Sequence, residues 1–501
     1  MLCGLKMFLT FAAVYNAIFF IMLVLSVIII YFVVLLIVGS MTKGKADNQS
    51  FYRGERRSSW QLVAFGMIGA SVSGVTFVSV PGMVMHADMT YLQMCMGFIL
   101  GYFLVAFILL PVYYRLNLTT IYSYLDTRFG RRSRLTGAWF FLLSKIASTA
   151  VKFYIACFIV YSVVSSFAPS AFMSRFGFVV VAVAMVVLVW LYSWQGGIRT
   201  LVWTDTVQTT CMLAALVLII VSVVGELGMS FGEAMTAVAG DSHSRVFVFD
   251  DWMSRQNFWK QFVSGAFVVV VMTGLDQDMM QKNLTCKSLR EAQKDMCTYG
   301  FAFLPANALF LVLGVLLLML AQKQGIAMPA KGDELLPMFA ATGRLGQLPM
   351  ALFLLGIIAA SFSSADSALT ALTTSYCVDV KGKTDDERLR RRTHIVMAVV
   401  LVVAMIIFHA VNSTSVIDAI YIMVSYTYGP LLGLFAYGLF TRRAVCDRCV
   451  PCIAIASPLL CYAVDSVSAS AFGYKFGYEL LLLNGTLTFV GLLLTSRISR
   501  N

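Results

Sequence analysis

About thirteen stretches of this sequence run for roughly twenty apolar residues each, and no other feature limits its fold as strongly. Inside a bilayer every backbone N–H and C=O must find a partner within the protein, which leaves helices and closed barrels as the available spanning structures. Barrel strands alternate apolar and polar residues. These runs are continuous, so a barrel is excluded. The expected spans are 16–39, 60–84, 91–114, 136–166, 176–195, 200–225, 258–277, 298–321, 348–378, 395–411, 415–440, 450–466 and 478–496, and no segment between them is as large as an ordinary soluble domain. The chain is 59% hydrophobic and 12% charged, about half the charged fraction of a soluble protein. It reads as an all-α polytopic membrane protein.

A net charge of +12 would suit nucleic acid if it covered one soluble face. Instead, most of the 37 basic residues fall in alternate loops, among them Arg53, Arg56 and Arg57, then Arg131, Arg132 and Arg134, then Arg390, Arg391 and Arg392. That is the positive-inside bias. It puts the N-terminus outside and, with thirteen spans, the C-terminus in the cytoplasm. The expected setting is the plasma (inner) membrane, and the expected partners are the lipid bilayer and a small-molecule substrate, not nucleic acid. The apolar N-terminus with its single Lys6 would suit a cleaved signal peptide. Its apolar region is too long for one and a basic loop follows, so a retained helix is expected. The cysteines of "CDRCVPC" (Cys446, Cys449, Cys452) have metal-like spacing but offer three thiols and no nearby His, short of the four ligands zinc normally takes. No nucleophile, base and orienting group come together, so the chain is not expected to be an enzyme. No cofactor is expected.

Two spans carry residues that interrupt a membrane helix. The second, "WQLVAFGMIGASVSGVTFVSVPGMV", holds Gly66, Gly69, Gly74, Pro81 and Gly82, with the hydroxyls of Ser71, Ser73, Thr76 and Ser79. The seventh, "SGAFVVVVMTGLDQDMMQKN", holds Thr273-Gly274 followed by Asp276, Gln277 and Asp278. Small residues also serve tight helix crossings. Interruptions at corresponding positions of two repeats, however, mark the binding region of secondary transporters. Five spans separate the two starts, and an odd number inverts the second unit. The chain therefore divides into 1–59, an extra N-terminal helix and basic loop; 60–225, a first five-helix repeat; 226–257, an extracellular loop; 258–440, a second repeat; and 441–501, two C-terminal helices and a short basic tail.

The ninth span contains "SFSSADSALT", Ser361 to Thr370. Ser363, Asp366 and Ser367 share one helical face, with Ser364 one step round. Hydroxyls and carboxylates are the ligands hard cations prefer. A lone hydroxyl commonly bonds back to its own helix, but an intramembrane carboxylate costs at least about 2.5 kcal/mol and marks function. Asp205 lies near the cytoplasmic end of the sixth span, where it either pairs with Arg199 at the interface or joins an ion path. Asp276 and Asp278 are expected to be water-exposed or lysine-paired. Lys145 and Lys152 lie seven apart on one face of the fourth span. Lys145 could snorkel to the interface, whereas Lys152, near mid-span, points to an anionic substrate or a buried carboxylate.

Six stretches in order, "GASVSGVTFVSVPG" (69–82), "YSYLDTRFG" (122–130), "GGIRTLVWTDTVQ" (196–208), "DQDMMQKNLTCKS" (276–288), "SSADSALTALTTSYCVDV" (363–380) and "YGPLLGLFAYGLF" (428–440), resemble the solute:sodium symporter family. The resemblance implies a LeuT-like core of two inverted five-helix repeats with broken first helices. It implies a central sodium site on the carbonyls of Gly69, Val72 and Ala360 and the hydroxyls of Ser363 and Ser364. A second sodium site would use Ser363, Ser367 and Asp205, with Asp366 close by. Ser71, Ser73 and Thr76 would line the substrate site, with Tyr91 and Gln93 adding contacts, Met272 and Thr273 as the opposite wall, and Lys145 and Lys152 as candidate anion contacts. Sialic acid members use an arginine for the substrate carboxylate, where this chain has lysines. The implied function is sodium-coupled import of a small polar solute by alternating access, probed first with sialic acid, sugars and sugar acids. The alternatives are proline or a small carboxylate, and a transporter-like sensor working with a separate signalling chain. Sodium is the coupling ion, and the functional unit is expected to be a monomer.

Overall fold

The computed structural model describes residues 22, 26–42, 48–167, 171–340, 343–411 and 416–496. Among them there is no β-strand, only an isolated bridge between Ser58 and Cys286. Nine helices are long and apolar enough to cross a bilayer, or eleven if each of two bent pairs counts as one span. Two shorter apolar helices, Ser26–Met41 and Leu480–Leu494, stand where the first and last spans were expected. Among the described residues the spanning helices therefore number nine to eleven, and the expected count of thirteen is not confirmed. The basic residues Lys43 and Lys45 of the first loop and the extreme C-terminal tail lie outside the described residues.

Both bent pairs fall where the sequence clusters its helix-interrupting residues. The first broken span is Trp60–Ser71 and Gly74–Ala87, bent by 61°, and the second is Phe258–Gly274 and Gln277–Asn283, bent by 71°. At the first break Val72 and Ser73 leave helical geometry (ψ 86° and 173°). The N–H of Ser73 turns to the carbonyl of Ser71, 3.0 Å away. Gly69 therefore lacks the donor that a continuous helix would send to its carbonyl. Glycine is required on both sides of this break. A Cβ on Gly69 would collide with the Thr209 side chain, and one on Gly74 with the Ser361 hydroxyl. The second break frees the carbonyls of Gly274 and Leu275, which accept hydrogen bonds of 2.9 Å each from the hydroxyls of Tyr113 and Tyr122.

Around these breaks stand the helices that carry the charged and hydroxyl residues. The serine helix, Gln347–Val380, is the centre of the molecule, with every residue from Gly356 to Ser375 buried. The lysine helix, Arg131–Phe167, holds Lys145 and Lys152. Phe176–Trp194 and Gly197–Leu227 are two helices joined at Gly197, whose φ of 53° and ψ of −153° suit glycine alone. Phe176–Trp194 turns Val180, Val183, Val187 and Leu191 outward at helical spacing, as a lipid-facing surface requires.

Candidate functional site

A central cavity opens between the two breaks. Its walls include Ala70, Ser71, Ser73 and Thr76 of the first broken span, Met272, Thr273, Asp276 and Asp278 of the second, and Lys145 and Lys152 of the lysine helix. Tyr91, Tyr102, Tyr299, Tyr421 and Tyr428 also line it. All the expected substrate contacts except one reach this cavity. The exception is Gln93, which is fully buried and spent elsewhere. Its amide donates to the carbonyl of Gln256 at 2.8 Å and accepts from the N–H of Val248 at 3.1 Å, bracing the extracellular loop. A buried amide must satisfy both its donor and acceptor groups, and this loop does so before any solute could.

Of these tyrosines only Tyr91 was expected from the sequence; Tyr102, Tyr299, Tyr421 and Tyr428 were not, because a membrane-span tyrosine is usually an interfacial anchor. Here they order the hydroxyl wall. Tyr299 hydrogen-bonds Ser71 and accepts from the Tyr102 hydroxyl at 2.8 Å. Across the cavity, the Tyr91 and Tyr421 hydroxyls meet at 3.1 Å.

The carboxylates Asp276 and Asp278, expected at a water-exposed helix end or in a lysine pair, are buried and paired with Lys145. Asp276 caps the helix Gln277–Asn283, accepting from the N–H of Asp278 at 2.9 Å. It also contacts Lys145 at 3.1 and 3.2 Å and accepts from the Tyr428 hydroxyl at 2.7 Å. Asp278 meets the same ammonium at 2.7 Å. Lys145 is thus neutralised in place and does not snorkel. Lys152 lines the same cavity two turns further along the helix. Among the described residues it makes no ion pair or hydrogen bond.

Directly behind Ser71, the Ser364 hydroxyl lies 3.2 Å from the carbonyl of Ala70 and 3.3 Å from that of Ala360. It joins the first break to the serine helix. Gly69, Val72, Ala360 and Ser363 stand around this junction, out of the cavity, while Ala70 and Ser364 also face it. The donor set is carbonyls and hydroxyls with no net charge, the kind that holds a hard monovalent cation reversibly.

Deeper still, Asp205 is fully buried. Its carboxylate accepts from the Ser363 hydroxyl at 2.6 Å and lies 2.8 Å from the ammonium of Lys282. The alternative of an ion pair with Arg199 is not what the structure has at Asp205. Lys282 is the partner instead, because the second broken span carries it into the protein in place of the cytoplasmic loop. Asp366 accepts from the Tyr192 hydroxyl at 2.7 Å and from the Ser367 hydroxyl at 3.2 Å. Among the described residues it makes no ion pair.

Residues 51–447 match the family model for the sodium:solute symporters. The chain belongs to the sodium:solute symporter family. It is 24% identical to the sodium/sialic acid symporter SiaT of Proteus mirabilis over 491 residues, covering 92% of each protein. It is 27% identical to the human sodium/iodide cotransporter over 259 residues, which is 51% of this chain and 38% of that one. The solved structure of a Na+-coupled sialic acid symporter, in a substrate-bound outward-open state, superposes with a TM-score of 0.77 at 21% identity, covering 94% of this chain and 97% of that one. As a sodium:solute symporter, the chain is a multi-pass membrane transporter coupling sodium to a small solute, and not an enzyme.

Proposed function

We propose that this symporter imports a small organic anion, with a carboxylated sugar of the sialic acid type as the leading substrate. The observation that carries the reading is Lys152, an ammonium on the cavity wall that touches neither carboxylate, Asp276 and Asp278 both being held by Lys145. Its hydrogen-bond donors are not taken by any side chain among the described residues, and an anionic solute would give them a charge-assisted partner. The hydroxyls of Ser71, Ser73, Thr76 and Thr273 and the ring of tyrosines suit a polyol on the same molecule. A lysine holds a carboxylate as a point charge, without the two-pronged fit of an arginine, so selectivity rests on the hydroxyl wall. The anionic substrates named for the two relatives, sialic acid and iodide, support the class.

In this reading one sodium sits among Gly69, Val72, Ala360, Ser363 and Ser364, and a second beside Asp205, Ser363, Asp366 and Ser367. The protein works in the plasma membrane as a monomer, with its C-terminus in the cytoplasm, as the basic loops favour. Uptake of labelled N-acetylneuraminate into proteoliposomes, with an inward sodium gradient and with potassium alone, tests it. Sodium-dependent accumulation is expected, and Lys152→Gln should raise KM at least about tenfold, the equivalent of losing roughly 1.4 kcal/mol. Sodium-driven uptake of proline or a neutral sugar in place of any acid would refute the anion reading. Uptake of a short monocarboxylate alone would keep Lys152 and reject the sugar.

A further inference from the structure

Lys282 is paired with the less obvious of two carboxylates. On the helix Gln277–Asn283 it stands four residues after Asp278. Acid before base at that spacing is the favourable intrahelical ion pair. Instead its ammonium leaves its own helix and lies 2.8 Å from Asp205. One buried atom is left over. Asp278 Oδ1 has no hydrogen-bond partner within the protein, while the other oxygen of the carboxylate holds Lys145 at 2.7 Å. A buried carboxylate oxygen without a partner is costly, and the cation one turn along its own helix is Lys282.

We infer that Lys282 is a movable, tethered cation. It holds Asp205 when no ion is present there and passes to the free oxygen of Asp278 when sodium takes Asp205. The inference rests on the second sodium position proposed above. A sodium ion arriving at Asp205 brings the charge that Lys282 was supplying, so the ammonium is released within reach of its i−4 neighbour. Asp278 is also the carboxylate that grips Lys145 at 2.7 Å. Drawing Asp278 toward Lys282 loosens that grip and leaves Lys145 held by Asp276 alone, which makes the lysine side of the cavity more attractive to the anionic solute. The chain from Asp205 through Lys282, Asp278 and Lys145 thus ends in the substrate cavity. It gives sodium and substrate a shared electrostatic element, and by linkage each must raise the affinity for the other by the same factor. Lys282 and Asp278 are positioning residues in this scheme. Neither needs to touch the solute.

Equilibrium binding of radioactive sodium to the purified full-length protein, with no organic solute present, tests the exchange. Wild type is expected to bind two ions per chain, with Asp205→Asn reducing the number to one. Asp278→Asn keeps the Lys282–Asp205 pair but removes the place to which Lys282 retreats, so it should also bind one. Adding Lys282→Met to Asp278→Asn removes the competitor and should restore the second ion, a recovery that mere structural damage cannot give. Two ions in Asp278→Asn would overturn the inference without the double variant. One ion in wild type, insensitive to Asp205→Asn, would overturn it while leaving the central sodium site intact. Absence of any bound sodium would overturn the proposed coupling itself.

Discussion

At Ser364 one hydroxyl stands between two carbonyls from two helices, 3.2 and 3.3 Å away. Replacing it by alanine should weaken sodium binding by about 1 kcal/mol, the usual net worth of a hydrogen-bonding group, and so raise the sodium concentration for half-maximal uptake roughly fivefold. An unchanged sodium dependence would remove Ser364 from the ion path. Asp366 makes a different case, because Tyr192 and Ser367 both donate to it. If its charge serves a second ion, Asp366→Asn should abolish that ion and leave the central one, a result read from the sodium Hill coefficient. The serines were legible in the sequence because they lie together on one helical face. Lys282 was not. It lies in a stretch with Lys287, Arg290 and Lys294 that suits a basic cytoplasmic loop, and nothing in that pattern hints that the helix break would carry it inward to Asp205. Gln93 failed for the opposite reason. It sits in the expected span, but the loop residues that claim its amide, Val248 and Gln256, are remote in sequence.

At the scale of elements, the two breaks follow from local chemistry. Glycine at 69 and 74 lets the halves of the first span approach Thr209 and Ser361 more closely than any Cβ allows. Gly69→Ala should therefore destabilise the packing of the first broken span by about 1–3 kcal/mol, as overpacking does. A lowered thermal midpoint, partly regained when Thr209→Ala is added, would establish the clash as the cause, and an unchanged midpoint would refute it. The positions of both broken spans were readable from their glycines, proline and hydroxyls. Helix lengths were less so. The lysine helix begins at Arg131 and runs to Phe167, beyond the expected 136–166, because polar residues continue a helix that apolar counting ends. Leu480–Leu494 is conversely shorter than its apolar run.

For the whole molecule, the ion and substrate positions set the electrical sign of transport. Two sodium ions with one monoanion carry one net positive charge inward per cycle. An inside-negative potential of about 100 mV should then favour accumulation by about 2.3 kcal/mol, near fiftyfold. Proteoliposomes clamped by a potassium gradient and ionophore would report this, and voltage-independent accumulation would mean one sodium per anion. The fold places the means of observing the cycle in the second broken span. All seven residues of Gln277–Asn283 are buried, in a helix of about two turns. With all seven residues buried the segment has no lipid-facing side, and its cytoplasmic end is uncovered when the inward route opens. Its backbone amides are thus a natural clock for alternating access. Deuterium should enter them slowly while the route is shut and quickly in each inward-open interval, so that exchange at this one peptide times how often the protein turns.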